Sequence, residues 1–244
     1  MAVHQRPIDR GSSGRRVGEG ILMFVGHLAL ALAAKRIEPK VSLGWFMAAA
    51  TALDLLWPIF LLFGLERVHP QAGATEFSPL AFDSYPWSHA LLMAMVWGLA
   101  LGAFGRFMGN TRRAGVLLFA LVVSHWVLDF FTHAPDLPLW PGPSPHLGLR
   151  LWDSIPGTLL VEGALWLLGI LLYLRGRHRV SWIGPVAFWS FVALCTLMWL
   201  AGPWSPPPPS ERFLAWFSLI GWTVIPWTAF ADSRYRPGAR VTVP

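Results

Sequence analysis

The chain has 244 residues, 55% hydrophobic and only 13% charged, with a mean hydropathy of +0.50. Soluble domains carry about 25% charged residues, so this balance excludes an ordinary soluble domain and points to an all-α, polytopic transmembrane helix bundle. The net charge of +6 is no nucleic-acid signature: the basic residues sit in short connections between apolar runs, where they act as topology signals.

In chain order, residues 1–16 are polar and basic and read as a disordered tail, with no small-residue cleavage pattern behind them. Residues 17–231 form the single bundle, and 232–244 a basic C-terminal tail. Seven apolar runs lie at 21–34, 41–65, 86–108, 114–131, 157–174, 181–202 and 212–231. The last six approach the roughly 20 residues that a bilayer helix needs and are expected to span. The first is short and flanked on both sides by basic residues, so it is expected to be a re-entrant or a seventh helix. The connections 35–40, 105–113 and 175–180 are basic, whereas 66–85, 132–156 and 203–211 are not. This positive-inside alternation predicts a multi-pass membrane protein with its C-terminus in the cytoplasm. "GPWSPPPPSER" reads as a stiff polyproline connection. Trp87, Trp140, Trp152, Trp182 and Trp204 fall at the ends of runs, as an interfacial aromatic belt does. The single Cys195 lies in an apolar run and reads as a small buried hydrophobe.

An ionisable side chain at the centre of a membrane helix costs about 2.5–3.5 kcal/mol on insertion scales. Six occur inside the runs: His27, Asp54, His89, His125, Asp129 and Glu162. Asp54 lies about 20 Å, and His125 about 16 Å, from the inner end of its run at 1.5 Å per residue. His89 and Glu162 lie just inside the outer ends of theirs. The five residues other than His27 therefore converge on the outer half of the bundle. In "SHWVLDFFTH", His125 and Asp129 are an i, i+4 pair on one helix face. Imidazole nitrogen and carboxylate oxygen are ligands for zinc or a similar divalent cation, and such a cation would offset the insertion penalty of the whole set. His133 precedes the helix-stopping Pro135 and sits at the mouth of the site, as ligand, proton shuttle or rim residue.

Each residue also has an ordinary reading. His27 can donate to a carbonyl. Asp54 can cap a kink at Pro58. His125 and Asp129 can be a plain hydrogen-bonded pair, and Glu162 can pair with Arg150. His69, His146 and His178 fall in loops and read as solvated, and Asp153 reads as a helix start.

"VGHLALALAAK", "LDLLWP", "YPWSHALL" and "SHWVLDFFTH" resemble, in this order, motifs of the YdjM-like inner-membrane proteins, a group of membrane-bound metal-dependent hydrolases. The resemblance covers about residues 20–140. It implies a metal site at His27, Asp54, His89, His125 and Asp129. Two positions depart from the pattern: Leu56 stands where a second aspartate is common, and "DSYPWSHA" lacks an upstream arginine.

The function expected is an intramembrane metal-dependent hydrolase, with zinc as the divalent metal and a lipid-like or amphiphilic substrate. Asp54 would serve as ligand or general base, and Glu162 or His133 would handle protons. The Pro-rich stretch 133–148 is a candidate lid. Two other classes compete: a non-catalytic accessory subunit with partners in a membrane complex, and a proton- or cation-coupled transporter.

Overall fold

A computed structural model describes residues 25–175 and 177–237. Among these residues ten α-helices follow one another: α1 (Val25–Ile37), α2 (Leu43–Ala50), α3 (Ala52–Leu62), α4 (Pro86–His89), α5 (Leu91–Phe107), α6 (Arg112–Thr132), α7 (Ile155–Leu174), α8 (Ile183–Ala201), α9 (Glu211–Ser218) and α10 (Val224–Ser233). Three short antiparallel ribbons lie in the connections: β1 (Arg67–Pro70) with β2 (Leu80–Ser84), β3 (Leu137–Pro138) with β4 (His146–Leu147), and β5 (Arg177–Arg179) with β6 (Tyr235–Pro237). The bundle is helical as expected; the ribbons were not anticipated.

Among the described residues, four stretches are long and apolar enough to cross a membrane: Arg112–Thr132, Ile155–Leu174, Ile183–Trp204 and Glu211–Ser233. The pair α2 and α3 makes a fifth candidate, bent by 55°. Leu99, Leu160, Leu167 and Leu197 point outward and are largely exposed. An apolar surface of this extent belongs in a bilayer and not in water.

The expected count of six spans is not reached, for two local reasons. Run 86–108 is interrupted at Ala90, whose backbone is extended (φ −68°, ψ 142°). This leaves α5 with 17 residues, about 25 Å at 1.5 Å per residue. The bend in run 41–65 falls at Thr51, between α2 and α3, and Pro58 lies inside α3. The described part of the first helix has 13 residues. It is buried on nearly every side, as a helix in the centre of a bundle must be.

Close approach of backbones sets the packing. A Cβ added at Gly169 of α7 would sit 2.6 Å from the Ala29 carbonyl oxygen of α1, and one at Gly102 of α5 would sit 2.7 Å from the Gly115 carbonyl oxygen of α6. Small residues at helix contacts are how membrane helices gain van der Waals packing without a hydrophobic drive between them.

At the end of the bundle away from the candidate site, Asp232 of α10 gathers three helices. Its carboxylate lies 2.6 Å from Lys35 Nζ and 2.6 Å from an Arg177 nitrogen, and accepts from the Leu43 amide (3.0 Å) and the Tyr173 hydroxyl (3.2 Å). Asp232, placed by the sequence in the C-terminal tail, is thus part of the bundle. The N-terminal tail lies outside the described residues.

Candidate metal centre

Four elements bring polar groups to one point. α6 starts at Thr111, whose hydroxyl oxygen accepts from the Ala114 amide (3.1 Å), and runs unbroken to Thr132. This holds His125 and Asp129 on one face, both buried. The bend at Thr51 turns α3 so that Asp54 faces the same place, and the break at Ala90 leaves His89 at the end of α4. The interior helix α1 delivers His27.

The five residues singled out as candidate ligands meet. His125 Nε2 is 3.3 Å from Asp129 Oδ2 and 3.6 Å from Asp54 Oδ1. His89 Nε2 is 3.6 Å from Asp54 Oδ1 and 3.8 Å from Asp129 Oδ2. His27 Nε2 is 3.1 Å from Asp129 Oδ1. Donors bonded at 2.0–2.1 Å to one tetrahedral ion are separated by about 3.3 Å, so the spacings suit a shared cation.

Hydrogen bonding fixes which nitrogens can ligate. His125 Nδ1 lies 2.7 Å from the Ala50 carbonyl oxygen, which can only accept. Nδ1 therefore carries a proton, and Nε2 is the nitrogen whose lone pair the neutral imidazole offers to a metal. That lone pair faces two carboxylate oxygens, and neither His125 Nε2 nor Asp129 Oδ2 has a hydrogen-bond partner although both are buried. With a neutral imidazole these are acceptors set against acceptors, which is costly in a buried site unless a cation or a proton lies between them. A divalent cation resolves the conflict, and the groups Asp54–His89–His125 and His27–His125–Asp129 both have the donor types and spacing to hold one.

Ring geometry separates the two groups. His27 and His125 are stacked, centroids 3.6 Å apart and planes within 2°. An ion bonded to an imidazole lies near the ring plane, and no point lies in two parallel planes. The ring of His89 is inclined by 64° to that of His125, so one ion can lie in both of those planes. The set with consistent directions is Asp54, His89, His125 and Asp129. His27 is in place to donate to Asp129 and hold its second oxygen.

The site opens on a cavity of about 380 Å³. Asp54, His89, Asp129 and His133 line it, and much of the facing wall is apolar, including Leu194 and Met198 of α8. The expected lid contributes only His133 from stretch 133–148. Trp152 and, from the earlier connection, Phe77, Leu80 and Phe82 supply wall on that side. Trp152 is therefore a buried part of the site, whereas Trp87, Trp140, Trp182 and Trp204 are exposed, as an interfacial belt requires.

His133 ends α6 and is not among the groups that can share a cation. Its Nδ1 donates to Asp136 Oδ1 (3.1 Å), which also accepts from the Tyr85 hydroxyl (2.5 Å). Burial opposes protonation of His133, but the hydrogen bond to Asp136 and the charges of Asp129, Asp136 and Asp54 outweigh it and raise its pKa. Burial and Asp136 hold the Tyr85 phenol well above its ordinary value, so it remains a donor.

Glu162 is fully buried but does not line the cavity. Its Oε1 accepts from Trp152 Nε1 (3.4 Å), and Arg150 pairs instead with Asp153 (2.6 Å). Ser154, next to the expected Asp153, caps α7. His69 bonds Asp83 (2.7 Å), and His69, His146 and His178 are all exposed on ribbons.

Sequence reasoning missed Glu66, Tyr85 and Asp136. Glu66 is 1% exposed and accepts from the Trp87 and Ser88 amides (2.8 and 2.7 Å) and the Ser88 hydroxyl (2.8 Å). Burial raises its pKa, against His89 and these donors, which lower it. The only signal for it was an acidic residue in a loop just before the Ser-His element.

No protein-family model, curated protein or solved structure matches the chain.

Proposed function

We propose that the protein is an intramembrane metal-dependent hydrolase of the bacterial inner membrane, with its C-terminus in the cytoplasm, acting on a lipid-like ester. The observation that carries this reading is the buried pair His125 Nε2 and Asp129 Oδ2, 3.3 Å apart and neither hydrogen-bonded, of which Asp129 reaches the wall of a largely apolar cavity. Zinc suits the two imidazoles of His89 and His125 and the carboxylate of Asp129, which would leave its fourth position to water beside Asp54. A zinc ion there would supply a bound water with its pKa lowered towards about 7.

The chain's own residues divide the remaining work. Asp54 is partly exposed to the cavity (45% of its side chain) and is placed to take a proton from a water beside it. His27 holds Asp129 in orientation. His133, with Nδ1 held by Asp136, would give a proton to the leaving oxygen from Nε2. Glu162, behind Trp152, supports the wall of the cavity. The apolar wall would hold an acyl chain.

Among the described residues, the cavity lining contains no lysine or arginine. Two aspartates and one divalent cation sum to zero charge, which gives an anionic phosphodiester no attraction. An uncharged carboxylic ester is the better fit. The residues that carry the resemblance to YdjM-like proteins are the same five that meet here, which supports the hydrolase class over a transporter or an accessory subunit.

The test is release of fatty acid from vesicles holding a neutral glyceride ester, with purified protein in the bilayer. Release that stops on chelation and returns with zinc supports the reading. Zinc-loaded protein without release from neutral esters counts against it.

A further inference from the structure

Two imidazoles of the site present the same nitrogen to the centre, but different devices hold them. For His125 the device is a backbone carbonyl. For His89 it is a side-chain relay that begins in the connection between α3 and α4. Ser88 Oγ lies 2.8 Å from Glu66 Oε2 and 2.6 Å from His89 Nδ1. A serine hydroxyl has one hydrogen, and an ionised carboxylate only accepts. The hydroxyl therefore donates to Glu66 and must accept from His89. This puts the imidazole proton on Nδ1 and the lone pair on Nε2, the atom that faces Asp54 and Asp129 at 3.6 and 3.8 Å.

Glu66 is itself held firmly. Its Oε1 accepts from two successive amides, those of Trp87 and Ser88, at the start of α4. Those amides belong to the first turn of a helix and have no partner within it. One carboxylate thus caps the short helix that carries His89 and, through Ser88, sets the tautomer of His89. All three side chains are buried, so water does not compete with the relay.

We infer that Glu66 and Ser88 are positioning residues that tune the metal affinity of the centre by fixing His89 as an Nε2 ligand through a Glu–Ser–His relay. The inference rests on the metal reading above. Partners behind a metal-binding histidine orient the ring and raise its basicity, and their loss costs about 10–100-fold in affinity.

The two roles of Glu66 separate experimentally. Ser88→Ala removes the hydroxyl but leaves both backbone amides on Glu66. Glu66→Gln keeps an acceptor for the amides but removes the charge. Full-length wild type and both variants are stripped of metal in detergent, their thermal midpoints recorded, and zinc affinity measured by competition with a chromogenic chelator. Cobalt(II) spectra report the ligand field. Ser88→Ala is expected to bind zinc about tenfold or more weaker, with an altered cobalt spectrum and a metal-free midpoint near wild type. Glu66→Gln is expected to weaken zinc in the same direction.

Either folded variant binding zinc as tightly as wild type, with the same cobalt spectrum, overturns the relay. Loss of affinity in Glu66→Gln alone, with Ser88→Ala unchanged, reduces Glu66 to a helix cap and also overturns it. A wild type that takes up no zinc overturns the metal reading itself, an outcome distinct from zinc binding that the variants match.

Discussion

The imidazole of His27 lies flat against that of His125, 3.6 Å away, while its Nε2 reaches Asp129 Oδ1 at 3.1 Å. Both rings attend to one carboxylate, yet only His125 is turned toward the ion position shared with His89 and Asp54. Identical residue types at similar depth therefore do different work. His27→Gln, which can still donate to Asp129, is expected to keep stoichiometric zinc with affinity lowered by about tenfold. His125→Ala is expected to lose it. Metal analysis of the two purified variants checks this, and loss of zinc in His27→Gln would make His27 a ligand.

The packing of α1 against α7 holds His27 in place. Gly169 leaves no room for a side chain beside Ala29. Gly169→Val is expected to push α1 outward and destabilise the protein by about 1–3 kcal/mol, the usual cost of overpacking. A lowered thermal midpoint together with weaker zinc binding would be the signature.

Asp232 balances Lys35 and Arg177 at the opposite end of the bundle. Asp232→Asn leaves two buried cations without a counter-charge, which costs about 3–5 kcal/mol. The thermal midpoint of the metal-free protein should fall steeply. In the fraction that remains folded, zinc stoichiometry should be unchanged, because no side chain of this group reaches the metal centre.

The pairing of His133 with Asp136 gives a pH dependence. Burial works against the charged imidazole, but the carboxylates prevail and its pKa stands above the ordinary 6.5. A raised histidine pKa contributes stability that is full below 6.5 and is lost as pH rises through the folded-state value. Melting wild type and Asp136→Asn in chelator across this range should show the largest gap on the acid side, closing at higher pH. A gap that is constant with pH would remove the charge from the explanation.

Much of the centre was legible before any coordinates. The i, i+4 spacing of His125 and Asp129 fixes their shared face, and the cost of ionisable groups in lipid makes them seek one another. Depth along a helix does not fix the direction a residue faces, and this is where Glu162 departs: it lies behind Trp152. The interruption at Ala90 carries no glycine or proline at that position, so run 86–108 reads as one helix. Glu66 is brought back to Ser88 by the connection that carries the β1–β2 ribbon, a non-local pairing that helical periodicity does not encode. Orientation of the ligands and the support behind them were therefore the parts that needed the structure.

The central claim is that side-chain ligands from α3, α4 and α6 surround one divalent cation. Elemental analysis of wild-type protein, loaded with zinc in detergent and freed of excess, tests it most directly, with the His89→Ala, His125→Ala double variant as control. One zinc per chain in the wild type and none in the double variant is the result expected. A wild type that emerges without zinc, or a double variant that retains it, would contradict the claim.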